Sequence, residues 1–409
     1  MIEGNQYSDE VLYSDLMEQI DAEEIERKKR AAKREIRRRK KRKKLLIRLY
    51  IRLGLFILIF VLIIIIAVFG VRKLISFITS SEDGASEAEF GIIERVLMDP
   101  GDINVEEVAE KAPVIYEAIE TPETKSFGSD VTGQYAILVD VDNGTILAQR
   151  ECNTMMSPAS MTKVLTLLVA CEHINDLDDK ITMSIDMLNY AYSNGCSTAG
   201  FAENETVTVR DLLYGTILPS GGDAALGLAY YVSGSQEAFV DLMNQKLDEM
   251  GLSQTAHFTN CIGLYDQDHY CTAYDMAMIM DAAIHNDICK EVLNARKYTT
   301  SSTEQHRNGI ELSNWFLRRI EDKECGVTFM GGKTGFVNES GNCAVSYAVT
   351  PDGGNYICVI ANAQGSWRCI YDHVAVYKQF FDTSYVPLSE TEIEDQIEQD
   401  ESEEEAENQ

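Results

Sequence analysis

The chain has 409 residues, 45% of them hydrophobic and 25% charged, with a net charge of −30 from 36 basic and 66 acidic residues. That apolar share excludes a wholly disordered protein, and the length leaves room for about two or three domains. The acidic total argues against a nucleic-acid partner, yet the charge is unevenly spread: residues 1–52 hold 16 basic and 10 acidic residues, net +6, so the remainder carries −36.

Residues 1–26 are acidic, with apolar positions at Val11, Leu12, Leu16 and Ile20 that predict a short, frayed helix. A basic run over 27–44 follows and suits anionic lipid headgroups. Residues 53–71, LGLFILIFVLIIIIAVFGV, carry no charge. At a helical rise of about 1.5 Å per residue that stretch spans a hydrocarbon core of roughly 30 Å, which predicts a single transmembrane helix with membrane lipid as a partner. The basic flank sets the orientation: residues 1–52 are expected in the cytoplasm and everything after the span outside the cell membrane. Residues 72–130, Ser/Glu-rich at first, are expected to form an extracellular stalk, residues 131–386 the folded body, and residues 387–409 a disordered acidic tail.

Within the body, residues 135–142 alternate and are β-rich, Asn143-Gly144 signals a hairpin, and 145–149 return as a second strand. Helices are predicted over 160–173, 208–218, 223–232, 235–250 and 273–283, the fourth with Ser235 as its cap and Gly251 as its stop. Strands resume over 327–336, 342–349 and 355–361. Two strands, a helical middle and three strands predict an α+β fold: a five-stranded antiparallel sheet flanked by helices, with the late strands paired to the early hairpin.

Two short motifs carry chemistry. Ser160-Met161-Thr162-Lys163 follows Pro158-Ala159 and opens an apolar helix, so Lys163 lies one turn from Ser160 on the same face. A hydroxyl needs a base to become a nucleophile, and a buried lysine can lose its charge and serve as one. Alone, S-x-x-K recurs too often to mean much. The second motif, Gly331-Gly332-Lys333-Thr334-Gly335, lies on a predicted strand, where glycines let another backbone approach and Lys and Thr can hold a carboxylate. S-x-x-K followed by K-T-G is the motif order of penicillin-recognising serine enzymes.

The segments YAILVDVDNGTILAQRECNTMMSPASMTKVLTLLVACEHI, TVTVRDLLYGTILPSGGDAALGLA, HFTNCIGLYDQDHYCTAYDMAMIM and GGKTGFVNESGNCAVSYAV resemble, in order, the serine D-alanyl-D-alanine carboxypeptidases, the low-molecular-mass penicillin-binding proteins. The resemblance runs from about residue 135 to about residue 381. It implies a β-lactamase/DD-peptidase-like fold, a peptidoglycan stem peptide ending in D-Ala-D-Ala as substrate, β-lactam antibiotics as inhibitors, and no cofactor. It also implies Ser160 as the acylated nucleophile, Lys163 as the base, and Lys333, Thr334 and Gly335 as the strand that holds the substrate carboxylate. The N–H groups of Ser160 and Phe336 would form the oxyanion hole, and Ser220 would relay protons. The middle motif of the family is S-x-N, and this chain reads Ser220-Gly221-Gly222. Gly222 thus stands at a substrate-holding position without a side chain, with water or Asp223 as candidate substitutes.

That departure motivates a second reading, a catalytically silent relative that binds peptidoglycan stems. A serine β-lactamase would need a deacylating Glu in an E-x-x-L-N segment, and the corresponding stretch offers Glu249 without that pattern. The six histidines form no H-E-x-x-H and the cysteines no C-x-x-C, so no metal is expected. His269 is expected to be a structural hydrogen-bonder. All ten cysteines lie beyond residue 150, on the expected outer side. Pairs Cys261–Cys271 and Cys325–Cys343 could form disulfides, while Cys171 and Cys358, in apolar runs, read as buried thiols.

Overall fold

The computed structural model describes residues 116–407, which lie within one compact unit. In chain order the strands are β1 (Ile119–Ser126), β2 (Tyr135–Asp140), β3 (Thr145–Arg150), β4 (Lys180–Thr182), β5 (Thr206–Thr208), β6 (Lys297–Thr299), β7 (Glu311–Ser313), β8 (Thr328–Val337), β9 (Gly341–Val349) and β10 (Asn355–Ala363). The helices are α1 (Thr162–His173), α2 (Ile185–Ser193), α3 (Val209–Ile217), α4 (Gly222–Ser233), α5 (Gln236–Glu249), α6 (Ala273–Ile284), α7 (Asp287–Asn294), α8 (Leu317–Ile320), α9 (Ser366–Phe381) and α10 (Glu390–Glu407).

The α+β class stands, but the sheet is mixed and six-stranded, in the order β1-β3-β2-β10-β9-β8. Both faces are covered. Ile137 and Val139 of β2, with Ile357 and Val359 of β10, join the larger core under the helices of the middle segment. Their neighbours Ala136, Leu138, Cys358 and Ile360 turn the other way, against Trp367, Ile370 and Tyr377 of α9. Burial on both sides explains why β2 is apolar without a break from Tyr135 to Val139 rather than alternating as expected. Helix α1 is buried from Thr162 to Cys171; a helix apolar all round belongs in a core. The short pairs β4–β5 and β6–β7 lie outside the main sheet. Capping boxes start α3 (Thr208, Asp211) and α6 (Thr272, Asp275), and Ser235 caps α5 as expected.

Three expectations are corrected. The sixth strand is β1, from the segment assigned to a stalk; it pairs in parallel with β3. Its sequence, IETPETKS, has no apolar face and its residues are mostly exposed, so hydrophobic periodicity was silent; backbone pairing holds it, with Thr124 Oγ1 donating to the Ile146 carbonyl at 2.6 Å. A proline fits there because an edge strand leaves one row of N–H groups unpaired. The acidic C-terminal segment is helix α10 rather than disordered chain. Ser389 and Glu392 cap it reciprocally (Glu392 Oε2 accepts from Ser389 N at 2.8 Å). Ile393 and Ile397, one turn apart, pack on the α9 side of the core. Asp400 accepts from Tyr371 Oη at 2.7 Å, and Glu404 pairs with Arg319 at 2.8 Å and with Arg318. Basic groups on the body thus accommodate a run that composition alone marks as solvated. Finally, all ten cysteines are free thiols. Cys343 Sγ faces the Gly335 carbonyl at 3.2 Å and Cys261 Sγ the Ala225 carbonyl at 3.7 Å, so neither expected disulfide forms; Cys171 and Cys358 are buried.

The apolar run 53–71 lies outside the described residues; among those described, no helix is long and apolar enough to cross a membrane.

Candidate active site

Pro158 leads into a single 3₁₀ turn, Ala159–Met161, that continues directly as α1. Ala159 has a positive φ of 45°, an uncommon conformation for a residue with a Cβ and one that recurs at functional turns. Ser160 is thereby left at the surface of the turn while Lys163 points into the core. Lys163 Nζ lies 2.9 Å from Ser160 Oγ and 2.7 Å from the Ile262 carbonyl. The lysine is 1% exposed, and burial pushes its pKa down to about 8.

Residues 259–264 pack against α1 and hold that lysine. Buried Asn260 is their hub: its Oδ1 accepts from the N–H groups of Ile262, Gly263 and Leu264 at 3.1, 2.7 and 3.0 Å, and its Nδ2 donates to the Leu264 carbonyl at 2.9 Å. Gly263, at φ +92°, touches the Ser160 turn so closely that a Cβ there would lie 1.8 Å from the Ala159 carbonyl oxygen. Thr166 Oγ1 donates to the Cys261 carbonyl at 2.7 Å. His269 completes the seam: its Nδ1 accepts from Thr259 N at 3.0 Å, which leaves Nε2–H to donate to Thr162 Oγ1 at 2.8 Å. Burial pushes its pKa down to about 3, so it stays neutral, the structural role expected of it. Asn260 and Gly263 were missed as site residues because they touch the chemistry only through a backbone carbonyl and a close approach, neither of which leaves a spacing in the sequence.

The K-T-G motif lies on β8, the sheet edge opposite β1. Gly335 lies so near the Ser160 turn that a Cβ there would lie 2.9 Å from Ser160 N and 3.1 Å from Ala159 Cβ. Lys333 is 2% exposed and donates to the Thr334 carbonyl at 2.7 Å. Burial, reinforced by the charge of Lys163, holds its pKa well below the usual lysine range. Phe336 is exposed at the outer end of the strand.

A cavity of about 360 Å³ joins these elements, lined by Ser160, Ser220, Thr334, Gly335 and Phe336 among others. Lys163 and Lys333 lie behind its wall. Ser220 has a positive φ of 63° at the turn into α4. Asp223 does not substitute for the missing Asn: its carboxylate is engaged by the N–H groups of Ala199 and Gly200 at 2.8 and 3.2 Å. Gly222 does not line the cavity; its side-chain space is taken by Cys196, whose Cβ lies 2.9 Å from where a Cβ on Gly222 would stand. Trp315 and Arg319 also line the cavity, and nothing in their local sequence announced them. Glu249 is at the surface, paired with Lys246 at 2.8 Å. Among the described residues no cluster of acidic, His and Cys side chains could hold a metal.

The family profile described as D-alanyl-D-alanine carboxypeptidase matches residues 120–365. Among curated relatives, the D-alanyl-D-alanine carboxypeptidase DacF of Bacillus subtilis is 33% identical over 218 residues, covering 52% of this chain and 53% of the relative. DacC of Escherichia coli is 35% identical over 183 residues, 43% of this chain and 44% of the relative. The chain thus spans about half the length of these relatives. Among solved structures, the Streptomyces K15 DD-transpeptidase superposes with a TM-score of 0.55 at 27% identity, covering 61% of this chain and 97% of that one. A D-alanyl-D-alanine carboxypeptidase from Mycobacterium tuberculosis gives 0.53 at 26% identity, 63% and 95%. A match over more than half of the chain, on the same strands and turns that carry both motifs, places the protein in the D-alanyl-D-alanine carboxypeptidase family.

Proposed function

We propose that this protein is a serine D-Ala-D-Ala carboxypeptidase that removes the terminal D-Ala from peptidoglycan stem peptides through an acyl-enzyme at Ser160. The observation that carries the proposal is the buried Lys163 amine 2.9 Å from the Ser160 hydroxyl. A neutral amine has two N–H bonds and one lone pair. With one N–H spent on the Ile262 carbonyl, the lone pair is free to take the Ser160 proton as Oγ attacks the carbonyl carbon of the penultimate D-Ala. The N–H groups of Ser160 and Phe336 receive the developing oxyanion, a term worth about 10²–10³ in rate per donor. Ser220 returns the proton to the departing D-Ala nitrogen, and water then hydrolyses the ester.

Lys333, Thr334 and Gly335 take the substrate's terminal carboxylate. The two buried lysines disfavour each other's charge. An arriving carboxylate draws the proton charge onto Lys333, since an opposite charge raises an amine's pKa, and this leaves Lys163 as the free base. β-Lactam antibiotics acylate the same serine. The span over 53–71 holds the enzyme in the cell membrane with its N-terminus in the cytoplasm and its body facing the wall.

The test is intact mass after incubation of the full-length chain with benzylpenicillin, beside Ser160→Ala, followed by D-Ala release from a stem pentapeptide. A single adduct on the wild type alone, with D-Ala release, is the expected result. No adduct over hours on folded protein would sink the enzyme reading and leave a stem-peptide binder.

A further inference from the structure

The S-x-N motif of the family lacks its third side chain here, and the fold shows what fills the gap. Helix α4 begins at Gly222, capped by Gly221, with Ser220 before it in the left-handed conformation. A Cβ on Gly222 would lie 2.9 Å from Cys196 Cβ, 3.4 Å from Cys196 Sγ and 3.4 Å from Ile262 Cγ2. The direction a side chain at 222 would take therefore runs into Cys196 and toward Ile262, the residue whose carbonyl fixes Lys163.

The segment that brings Cys196 there is fastened at several points. Cys196 N donates to the Ala191 carbonyl at 3.0 Å, Gly222 N to the Ser197 carbonyl at 2.8 Å, and the Asp223 carboxylate accepts from Ala199 N at 2.8 Å. Its neighbours Gly195 and Ser197 line the cavity. Cys196 is the one cysteine that is not fully buried. Burial raises the pKa of its thiol, only partly offset by Lys163.

Resting on the acyl-enzyme reading above, we infer that Cys196 is a positioning residue that replaces the absent motif side chain. Its thiol fills the space over Gly222, keeps the Ile262 carbonyl and Lys163 in register with Ser160, and presents Gly195 and Ser197 to the substrate. Gly222 is then required by Cys196, and the motif departure is a relocation of one side chain rather than its loss.

The experiment is a double-mutant cycle on the full-length chain, reading the second-order rate of Ser160 acylation by benzylpenicillin, with thermal unfolding to confirm that each variant is folded. Gly222→Asn alone is expected to slow acylation by about 100-fold, because its side chain collides with Cys196 and shifts the base. Cys196→Ala is expected to slow it by about tenfold, and Cys196→Ser, which restores a small polar group, by no more than about threefold. The pair Cys196→Gly with Gly222→Asn is expected to recover at least about tenfold over Gly222→Asn. Should Gly222→Asn not fold, the Ala/Ser contrast at Cys196 decides alone. An acylation rate in Cys196→Ala equal to wild type overturns the inference, as does a folded double variant no faster than Gly222→Asn. A wild-type chain that takes no penicillin overturns the acyl-enzyme reading and this inference with it; penicillin uptake that ignores every Cys196 change overturns this inference alone.

Discussion

The wall behind Ser160 and the two ends of the described body use the same polar residue types to opposite effect. At the wall, Lys163, Asn260, His269 and Lys333 are all at most 5% exposed, and each is hydrogen-bonded to the protein. At the ends, β1 and α10 are mostly exposed and are held by backbone pairing, two isoleucines, a few ion pairs and side-chain hydrogen bonds at Thr124 and Asp400. A polar group taken out of water costs several kcal/mol unless it is paired, whereas an exposed ion pair contributes little. Substitutions at the wall should therefore move chemistry and stability together and strongly. Those at the ends should move stability weakly and chemistry not at all.

Lys163→Met should separate the two quantities most sharply. It removes the proposed base, and acylation by benzylpenicillin should fall by about 10³-fold or more. Yet the variant should keep its stability at pH 7, because relief of the buried charge offsets the Ile262 carbonyl left without its donor. Burial takes Lys163 from an ordinary 10.5 to about 8, so below pH 8 the folded state bears a cost of about 3 kcal/mol relative to the unfolded chain. Between about pH 8 and 10.5 the unfolded state binds more protons, so wild-type stability rises with pH there and the variant falls behind it. Chemical denaturation at pH 7 and pH 10 measures this directly.

Asn260→Ala should come next. It leaves the buried N–H groups of Ile262 and Gly263, and the half-buried N–H and carbonyl of Leu264, without their partner, at a cost of about 3 kcal/mol. The released Ile262 carbonyl should cost acylation about 10²-fold. Stability loss without loss of acylation would mean that the loop does not hold the base. A smaller effect is the pH dependence of the wild type: acylation should rise about tenfold from pH 7 to a plateau above pH 9, with its midpoint near the value of about 8 for Lys163. A profile flat across this range would assign the proton transfer elsewhere.

The same contrast explains what could be read before the fold was known. Ser160, Lys163 and the K-T-G strand were legible because each is defined by spacing along one element: one helical turn, or one strand edge. The core strands and five helices, α1 and α3 to α6, were legible from period and caps, whereas α2, α7 and the short pairs β4–β5 and β6–β7 were not read. Asn260, Gly263 and Cys196 were not, because they act on α1 and α4 from elsewhere in the chain through a carbonyl, a close approach and a filled void. Asp223, beside the motif and acidic, was the attractive substitute for the missing Asn, yet its carboxylate is spent on backbone N–H groups. At the ends, β1 failed the reading because its face carries no apolar signal. Helix α10 failed because Ile393 and Ile397 were outvoted by the acidic residues around them.

Glu404→Gln tests the weak side of the comparison. Burial alone would raise the Glu404 carboxyl, but hydrogen bonds and charge from Arg319 and Arg318 bring it below its usual value. A carboxylate lowered in the folded state contributes stability that is present above its unfolded pKa and lost as the pH falls through the folded one. The variant should thus be destabilised by about 1 kcal/mol or less at pH 7. That difference should shrink as the pH is lowered through the carboxylate range, and also at high salt, where the partly exposed charges are screened. Acylation at Ser160 should stay within about twofold, since the ion pair is built on α8 and α10 and not on the strands or turns that carry the nucleophile. A loss of acylation as large as that of Asn260→Ala would break the division between wall and ends. Helix α10 would then be part of the cavity's support, acting through Arg319, which both pairs with Glu404 and lines the cavity.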